Sequence, residues 1–366
     1  MYIVEFDVRK SISGETLTRP IKIFTPSFAD ADNTNAQNLT VKEIVARLPE
    51  QLFHVVMLCG GAPDPRIALR KNTRLLPQRT GGNALRWLAQ ILISRPDIYF
   101  FPRQGPLDHA VFALRKAGLL KTASVAYIVM VMNQETEGGL VGRSIRESDT
   151  VLANSSYVAG TIEQRFGIST EVIFDGIDRR FFYPQAEVLR KTSEPLTVLY
   201  AGSFQERKRV DLVIRHAARW PQAVFRLAGR GKTEAACRAL VQQLGCANVV
   251  FLGHLSPTQL GEEMRRADVF LFPSVLEGHP QVLAQAAACG LPAIAMNVYQ
   301  PEYVVHGETG FLVESDAELA LQLDLLLGNS DLRHSMAAAA ARHAQKFDWN
   351  RITAQWAEVF QKVTGR

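Results

Sequence analysis

Cysteine is scarce in this chain. Cys59, Cys237, Cys246 and Cys289 are scattered, with no Cys-x-x-Cys pair and no histidine joining them at metal-finger spacing. A disulfide framework and a structural zinc site are thereby excluded. Four reduced, mostly buried thiols are expected. Long apolar runs are missing too: none approaches the ~18 residues that cross a bilayer. The first ten residues, MYIVEFDVRK, mix both charge signs and hold no apolar stretch of signal-peptide type. A cytoplasmic protein is expected. Acidic residues are absent from one long stretch. Arg66, Arg70, Lys71, Arg74, Arg79, Arg86 and Arg95 stand between positions 66 and 95 without a single Asp or Glu. Within it ALRWLAQILI (84–93) reads as an apolar helix. A solvated basic face beside a core helix accounts for the stretch. So does a surface resting on an anionic membrane, where each Lys or Arg contributes about 1 kcal/mol. No recognition motif or aromatic-basic interleaving stands beside these charges, so nucleic acid is not expected as a partner.

What is present is ordinary globular material, 47% hydrophobic and 21% charged, with a formal net charge of +5. That balance suits anionic partners without choosing among them. The 366 residues exceed one ordinary core and point to two domains of about 150 to 200 residues each. Short apolar runs alternate with helical patterns throughout, the mark of α/β architecture. In the first half, strands are expected at 21–26, 53–60, 97–102, 123–132, 149–155 and 171–176, and helices at 39–48, 84–93, 108–118 and 156–167. In the second half, strands are expected at 196–203, 223–231, 248–255, 268–274 and 291–296. Helices are expected there at 211–220, 233–245, 260–267 and just past Glu277. The polar stretch QAEVLRKTSEP (185–195) breaks the pattern and reads as a linker between domains at 1–184 and 196–346. Two Rossmann-like parallel-sheet domains facing across a cleft, with ligands at strand carboxyl ends, are the expected architecture. No Asp-x-Asp metal motif is read near a strand end, and no metal site is expected. The tail FDWNRITAQWAEVFQKV (347–363) carries large apolar residues at helical spacing. It suits a helix that closes onto the first domain and equally one confined to the second.

One stretch asks for a ligand. In EGHPQVLAQAAACG (277–290) a lone carboxylate stands just before a helix start and just after an apolar strand. The amides of Gln281, Val282 and Leu283 would be unpaired helix amino-terminal donors, and such a terminus attracts phosphate. Gly278 would let backbone approach a ligand closely, and Pro280 fits where no amide is needed. Glu277 does not bind phosphate but accepts hydrogen bonds from hydroxyls. A nucleotide sugar has both groups. A second loop suits the same ligand. In SFQERKRVD, Arg207, Lys208 and Arg209 follow a strand, where cations are placed to neutralise a diphosphate. A charged surface turn accounts for them as well.

Together these residues carry a resemblance. VLYAGSFQERKRVDLVI, FRLAGRG, VVFLGHLS, RRADVFLFPS, EGHPQVLAQAAACGLPAIA and HGETGFLV occur in this order between about 196 and 313. They resemble the carboxy-terminal domain of glycosyltransferase family 4 (group 1), the retaining nucleotide-sugar transferases of GT-B fold. SYVAGTIEQRFG followed by VIFDGIDRRFFYP resembles the family's stretch before the linker. Of the family's two glutamates eight residues apart, the first is Glu277, which implies contacts to sugar hydroxyls. The second falls on Gln285, at the nucleotide ribose, so a neutral amide replaces a carboxylate. Lys208 matches the diphosphate-binding lysine, with Arg207 adjacent. Ser203 stands where some members carry an arginine, and Val298-Tyr299 replace a glycine pair before Pro301-Glu302. Gly253 and His254 fall where the nucleotide base packs.

The resemblance implies sugar transfer from a nucleoside-diphosphate sugar, of UDP or GDP type, to a carbohydrate or lipid-linked acceptor hydroxyl, with retention at the anomeric carbon. No metal or other cofactor is implied. The setting would be glycan, polysaccharide or glycolipid biosynthesis. The first half departs more from the family. SFADADNTNAQN (27–38) stands where many members have a glycine-rich loop. Its Asn33, Asn35, Gln37 and Asn38 suit sugar hydroxyls, while Asn38 equally suits a helix cap. VAYIVMVMNQ lacks the histidine that many members carry there, and His109, beside Asp108, is the nearest catalytic alternative. A non-catalytic nucleotide-sugar-binding or assembly subunit of the same fold also accounts for Gln285, Ser203 and the missing histidine. A nucleotide-sugar epimerase shares the fold as well.

Overall fold

The computed structural model describes residues 19–32, 36–78, 83–101, 106–184 and 195–366. The first sheet is built from β1 (Ile21–Phe28), β2 (Phe53–Cys59), β3 (Thr73–Pro77), β4 (Ile98–Phe101), β5 (Ala123–Ile128), β6 (Thr150–Ala153) and β7 (Glu171–Val172). Its helices are α1 (Ala36–Arg47), α2 (Pro65–Ala68), α3 (Asn83–Ser94), α4 (Pro106–Lys116), α5 (Gln134–Gly138), α6 (Leu140–Glu147) and α7 (Ser156–Phe166). The second sheet holds β8 (Thr197–Ala201), β9 (Val224–Ala228), β10 (Val249–Gly253), β11 (Val269–Phe272), β12 (Ala293–Met296) and β13 (Gly310–Val313). Around it lie α8 (Val210–Arg219), α9 (Glu234–Leu244), α10 (Pro257–Arg266), α11 (Gln281–Ala288), α12 (Asp316–Gly328) and α13 (Ser330–His343), and the chain ends in α14 (Trp349–Thr364).

Both sheets are parallel, with strand orders β3-β2-β1-β4-β5-β6-β7 and β10-β9-β8-β11-β12-β13. The central strands IYFF and VFLF are buried at every position, because helices cover both faces of such a sheet. The strand order reverses between β1 and β4 in one domain and between β8 and β11 in the other. Open α/β sheets bind ligands outside the carboxyl ends of such a strand pair. This singles out the loops after β8 and β11, which carry Lys208 and Glu277.

The tail crosses back. Trp356 is fully buried, with its ring 5.0 Å from Phe100 and 4.9 Å from Tyr127, and Phe360 lies 6.1 Å from Phe53. Thus α14 covers one face of the first sheet together with α1. The two crossings between domains are tied together where the Ile177 amide donates to the Phe347 carbonyl at 2.7 Å. The linker read at 185–195 lies, apart from Pro195, outside the described residues.

Several expectations need correction. β3 and α2 lie inside the acid-free basic stretch and were not anticipated. β3 pairs only with β2 as an edge strand, and an edge tolerates Arg74 and Pro77. Two of the seven cations there are internal. Arg66 pairs with Glu43 and Asp64, at 2.6 and 2.8 Å. Arg70 is buried and donates to the Ala46 and Leu48 carbonyls at the end of α1. Their partners lie outside the stretch, so its composition hid them. Asn38 is no cap: it sits within α1, and its Oδ1 accepts the Phe28 amide at 3.3 Å. Asn33 and Asn35 lie outside the described residues. Finally, β1 runs on to Phe28, which brings the pair Asp30-Ala31-Asp32 directly to a strand end.

Candidate active site

Two loops meet at the second switch point. After β8 the chain passes through a 3-10 turn, Glu206–Lys208, and Arg209 then adopts a left-handed conformation (φ 52°) to start α8. After β11 it continues from Pro273 to Pro280 before α11. The loops are stitched by backbone: the Val275 amide donates to the Arg207 carbonyl at 3.0 Å. Gly229 and Gly231, after β9, press against this junction. A Cβ at Gly229 would lie 1.9 Å from the Gly202 carbonyl, and one at Gly231 2.2 Å from that of Phe204.

Glu277 is the centre of the cluster. Three donors converge on its Oε1: Lys208 Nζ at 2.5 Å, Arg207 Nη1 at 2.7 Å and the Ser274 hydroxyl. Oε2 accepts no hydrogen bond from any described residue, and the side chain as a whole is 10% exposed. Lys208 is buried, with Nζ 4.8 Å from the centre of the Phe272 ring. Burial lowers its pKa, and the Glu277 charge opposes that shift. The Tyr200 phenol is pushed up, first by burial and then by Glu277, and the same two causes raise Tyr299. Two cations against one carboxylate leave the cluster positive, as an anion site requires. Arg209, the third cation of the loop, points elsewhere and pairs with Asp316 at 2.5 Å.

The start of α11 is only partly available. Leu283 is corrected as a free donor, because its amide already donates to the Pro280 carbonyl at 3.0 Å. The Gln281 and Val282 amides have no partner among the described residues. Gly278 also needs correction. A Cβ there would lie 2.6 Å from the Val129 carbonyl, so the close approach is to the first domain, just past β5, and not to a ligand. The contact also shows that the carboxyl ends of the two sheets face each other. The Gln285 side-chain oxygen is buried with no partner among the described residues. Ser203 offers no cation, and its carbonyl accepts the Tyr200 hydroxyl at 3.2 Å. Gly253 adopts φ 70°, and a Cβ there would touch the exposed Arg230 guanidinium at 3.4 Å. His254 beside it is exposed.

His109 lies in α4, which follows β4 of the first sheet's switch pair. Both of its ring nitrogens are buried without a partner among the described residues, and its ring sits 6.4 Å from Phe112. The neighbouring Asp108 accepts the Tyr99 hydroxyl at 2.8 Å. Among the described residues no group of three or more His, Cys, Asp or Glu side chains is arranged to hold a metal ion. Sequence reasoning missed Ser274, which was read only as a strand end. It also missed the contact of Glu302 with His279, which joins two elements of the second domain.

Residues 184–343 match the model of glycosyl transferases group 1. The second domain belongs to this family. Relatives of the group 1 domain extend into the first half. A D-inositol 3-phosphate glycosyltransferase of Streptomyces scabiei is 30% identical over 284 residues, 70% of this chain and 62% of that protein. An uncharacterized glycosyltransferase of Methanocaldococcus jannaschii is 24% identical over 220 residues, 59% of this chain and 60% of that one. The chain thus spans less than two thirds of the length of either. Among solved structures, a sucrose-phosphate synthase from Thermosynechococcus elongatus superposes with a TM-score of 0.76 at 19% identity, over 95% of this chain and 100% of that one. HepE from Anabaena, in complex with UDP and glucose, gives 0.74 at 18%, over 93% and 100%. These likenesses show the fold: two parallel-sheet domains in the GT-B arrangement that the group 1 resemblance implies.

Proposed function

We propose that the chain is a retaining glycosyltransferase, moving a sugar from a nucleoside-diphosphate sugar to an acceptor hydroxyl. One observation carries this reading: Lys208, Arg207 and Ser274 meet on Glu277 Oε1 beside the open start of α11. The cations and the two free amides suit a diphosphate, and Oε2 suits sugar hydroxyls. HepE was solved with UDP and with UDP-glucose, which supports testing UDP-type donors first and GDP-type donors second.

Departure of the diphosphate is the demanding event. The bond from the anomeric carbon to the phosphate oxygen breaks, and a bond to the acceptor oxygen forms on the same face. Lys208, Arg207 and the Gln281 and Val282 amides stabilise the charge that grows on the leaving group. That group takes the acceptor proton, so no separate base is required. The two protein cations supply the neutralisation a divalent ion would otherwise give, and transfer is expected to persist in chelator. His109 is the first-domain side chain to test next.

The acceptor is a carbohydrate or lipid-linked hydroxyl. The helix α3 favours one held at a membrane. Leu85 and Ile93 are 76% and 77% exposed there, with Arg86 on the same helix and Lys71 and Arg74 exposed nearby. Apolar side chains flanked by cations suit an anionic leaflet. Failure to bind anionic vesicles at low salt would count against this. No described helix is long and apolar enough to cross a membrane.

Calorimetric titration of UDP, GDP and their sugars into the protein and its Lys208→Ala variant tests the donor site. Selective binding of one nucleotide, weakened about a hundredfold in the variant, is expected. No binding across the panel would sink the donor site and leave the assembly-subunit reading in its place.

A further inference from the structure

The two residues after Glu277 both touch the first domain. The Gly278 carbonyl accepts the Ser155 hydroxyl at 3.2 Å, and the same hydroxyl caps α7 by accepting the Val158 amide at 3.1 Å. His279 is buried, its ring stacked 3.8 Å from Tyr303 and 5.4 Å from Phe174 of the first domain. Glu302 ties these contacts together. Its Oε1 accepts the Ser156 amide, in the first turn of α7, at 2.6 Å. Its Oε2 lies 3.4 Å from His279 Nε2, a charge contact and not a hydrogen bond, since neither atom has a hydrogen-bond partner among the described residues. Its own carbonyl contacts His343 Nε2 at 2.8 Å, which anchors it to α13. A carboxylate at a helix amino terminus is favoured by the open amides and the helix dipole. Burial would raise the Glu302 pKa, but His279 and the Ser156 amide outweigh it and hold the carboxyl low.

We propose that Glu302 is a positioning residue that couples the seating of the donor loop to the orientation of the two domains. One carboxylate holds α7 of the first domain through Ser156 and the donor loop of the second through His279. Glu277 lies in that loop, two residues before His279, so its placement over the donor sugar depends on the domains being held at this angle. The inference rests on the proposed role of Glu277. Glu302 itself touches no substrate, and the phosphate clamp of Lys208 and Arg207 lies entirely within the second domain. Loss of Glu302 therefore acts on turnover and leaves nucleoside diphosphate binding intact.

The test compares full-length Glu302→Ala and Glu302→Gln with the unmodified protein. Small-angle scattering without ligand reads the domain arrangement, and initial rates at saturating donor read kcat. Glu302→Ala is expected to expand the scattering envelope and to lower kcat by about tenfold to a hundredfold, as a misplaced catalytic group does. Nucleoside diphosphate affinity should stay within about twofold, because the clamp is local. Glu302→Gln keeps an acceptor for the Ser156 amide and the side-chain volume, so it should fold and recover most of the loss. A residue that merely stabilises the fold would lower Tm in both variants and leave kcat per folded molecule unchanged. An unchanged scattering profile in Glu302→Ala overturns the proposal. The scattering arm needs no nucleotide, so it decides the coupling even if the donor reading itself fails.

Discussion

Asp30 and Glu277 occupy comparable places in the two domains. Each follows a strand of its sheet's switch pair, Asp30 after β1 and Glu277 after β11. Their surroundings differ. Asp30 is closed by backbone: the Gly60 amide reaches both of its oxygens, at 2.9 and 3.1 Å, and the Gly61 amide binds Oδ1. Lys42 Nζ donates to the Asp30 carbonyl at 2.7 Å. Glu277 is instead held by two cations and a hydroxyl on one oxygen, with no described residue donating to the other. A carboxylate satisfied on both oxygens by fixed amides organises a loop. One held from a single side by charged side chains is ready to exchange partners with a ligand. Position at a switch point is thus no sufficient mark of a functional residue, and the identity of the donors decides.

The comparison breaks most visibly at Glu277. Glu277→Ala should lower transfer by ~10²–10³, the usual cost of losing one aimed group. Nucleoside diphosphate affinity should hold or rise, because Arg207 and Lys208 are freed for phosphate. Only the increment contributed by the sugar should disappear. Parallel titrations with a nucleoside diphosphate and its sugar check this, and equal losses for both ligands would contradict it. Retained transfer would remove Glu277 from the mechanism.

Asp30→Ala should do the reverse. It removes the acceptor of the Gly60 and Gly61 amides, and because both glycines are exposed, water replaces part of what is lost and the cost stays near the low end of about 1–3 kcal/mol in all. The expected result is a clear fall in Tm with transfer per folded molecule little changed. Asp30→Asn sharpens the point, since a neutral carbonyl still accepts from the amides and should restore much of the stability. A large loss of turnover in folded Asp30→Asn would show that the two carboxylates are less different than their partners suggest.

These differences set what the sequence reveals. Glu277, Lys208 and the start of α11 were legible because their local patterns, strand then loop then helix, carry the chemistry. Asp30 was not, because its partners lie thirty residues away in a glycine pair with no charge to advertise them. The need for glycine at 278 was legible, but what approaches it was not: Val129 belongs to the other domain, and chain spacing holds no record of that contact. The same holds for Glu302, whose role depends on α7. Most of the alternating strands and helices followed from apolar periodicity. β3 escaped because an edge strand needs no continuous apolar run. The tail was ambiguous because an amphipathic helix states that it will be covered, not by which domain.

The smallest effect is expected in acid, and it separates the domains as wholes. Among the described residues, Asp64, Glu147, Asp149 and Asp178 of the first domain titrate below their usual range. In each, burial works in the opposite direction and is outweighed, by Arg66, by Arg143 and Lys116, by Arg115 with the Ser124 amide, and by Arg180. In the second domain Glu302 and Asp316 behave likewise. A carboxylate whose folded pKa is depressed contributes stability above its unfolded value, about 4. That stability is lost as pH falls through the folded value, so stability should drop from about pH 5 downward. With more such groups, the first domain should open before the second. Hydrogen exchange at a series of pH values, corrected for the intrinsic rate, reads each domain separately. Earlier opening of β8 and β11 than of β1 and β4 would contradict the ordering.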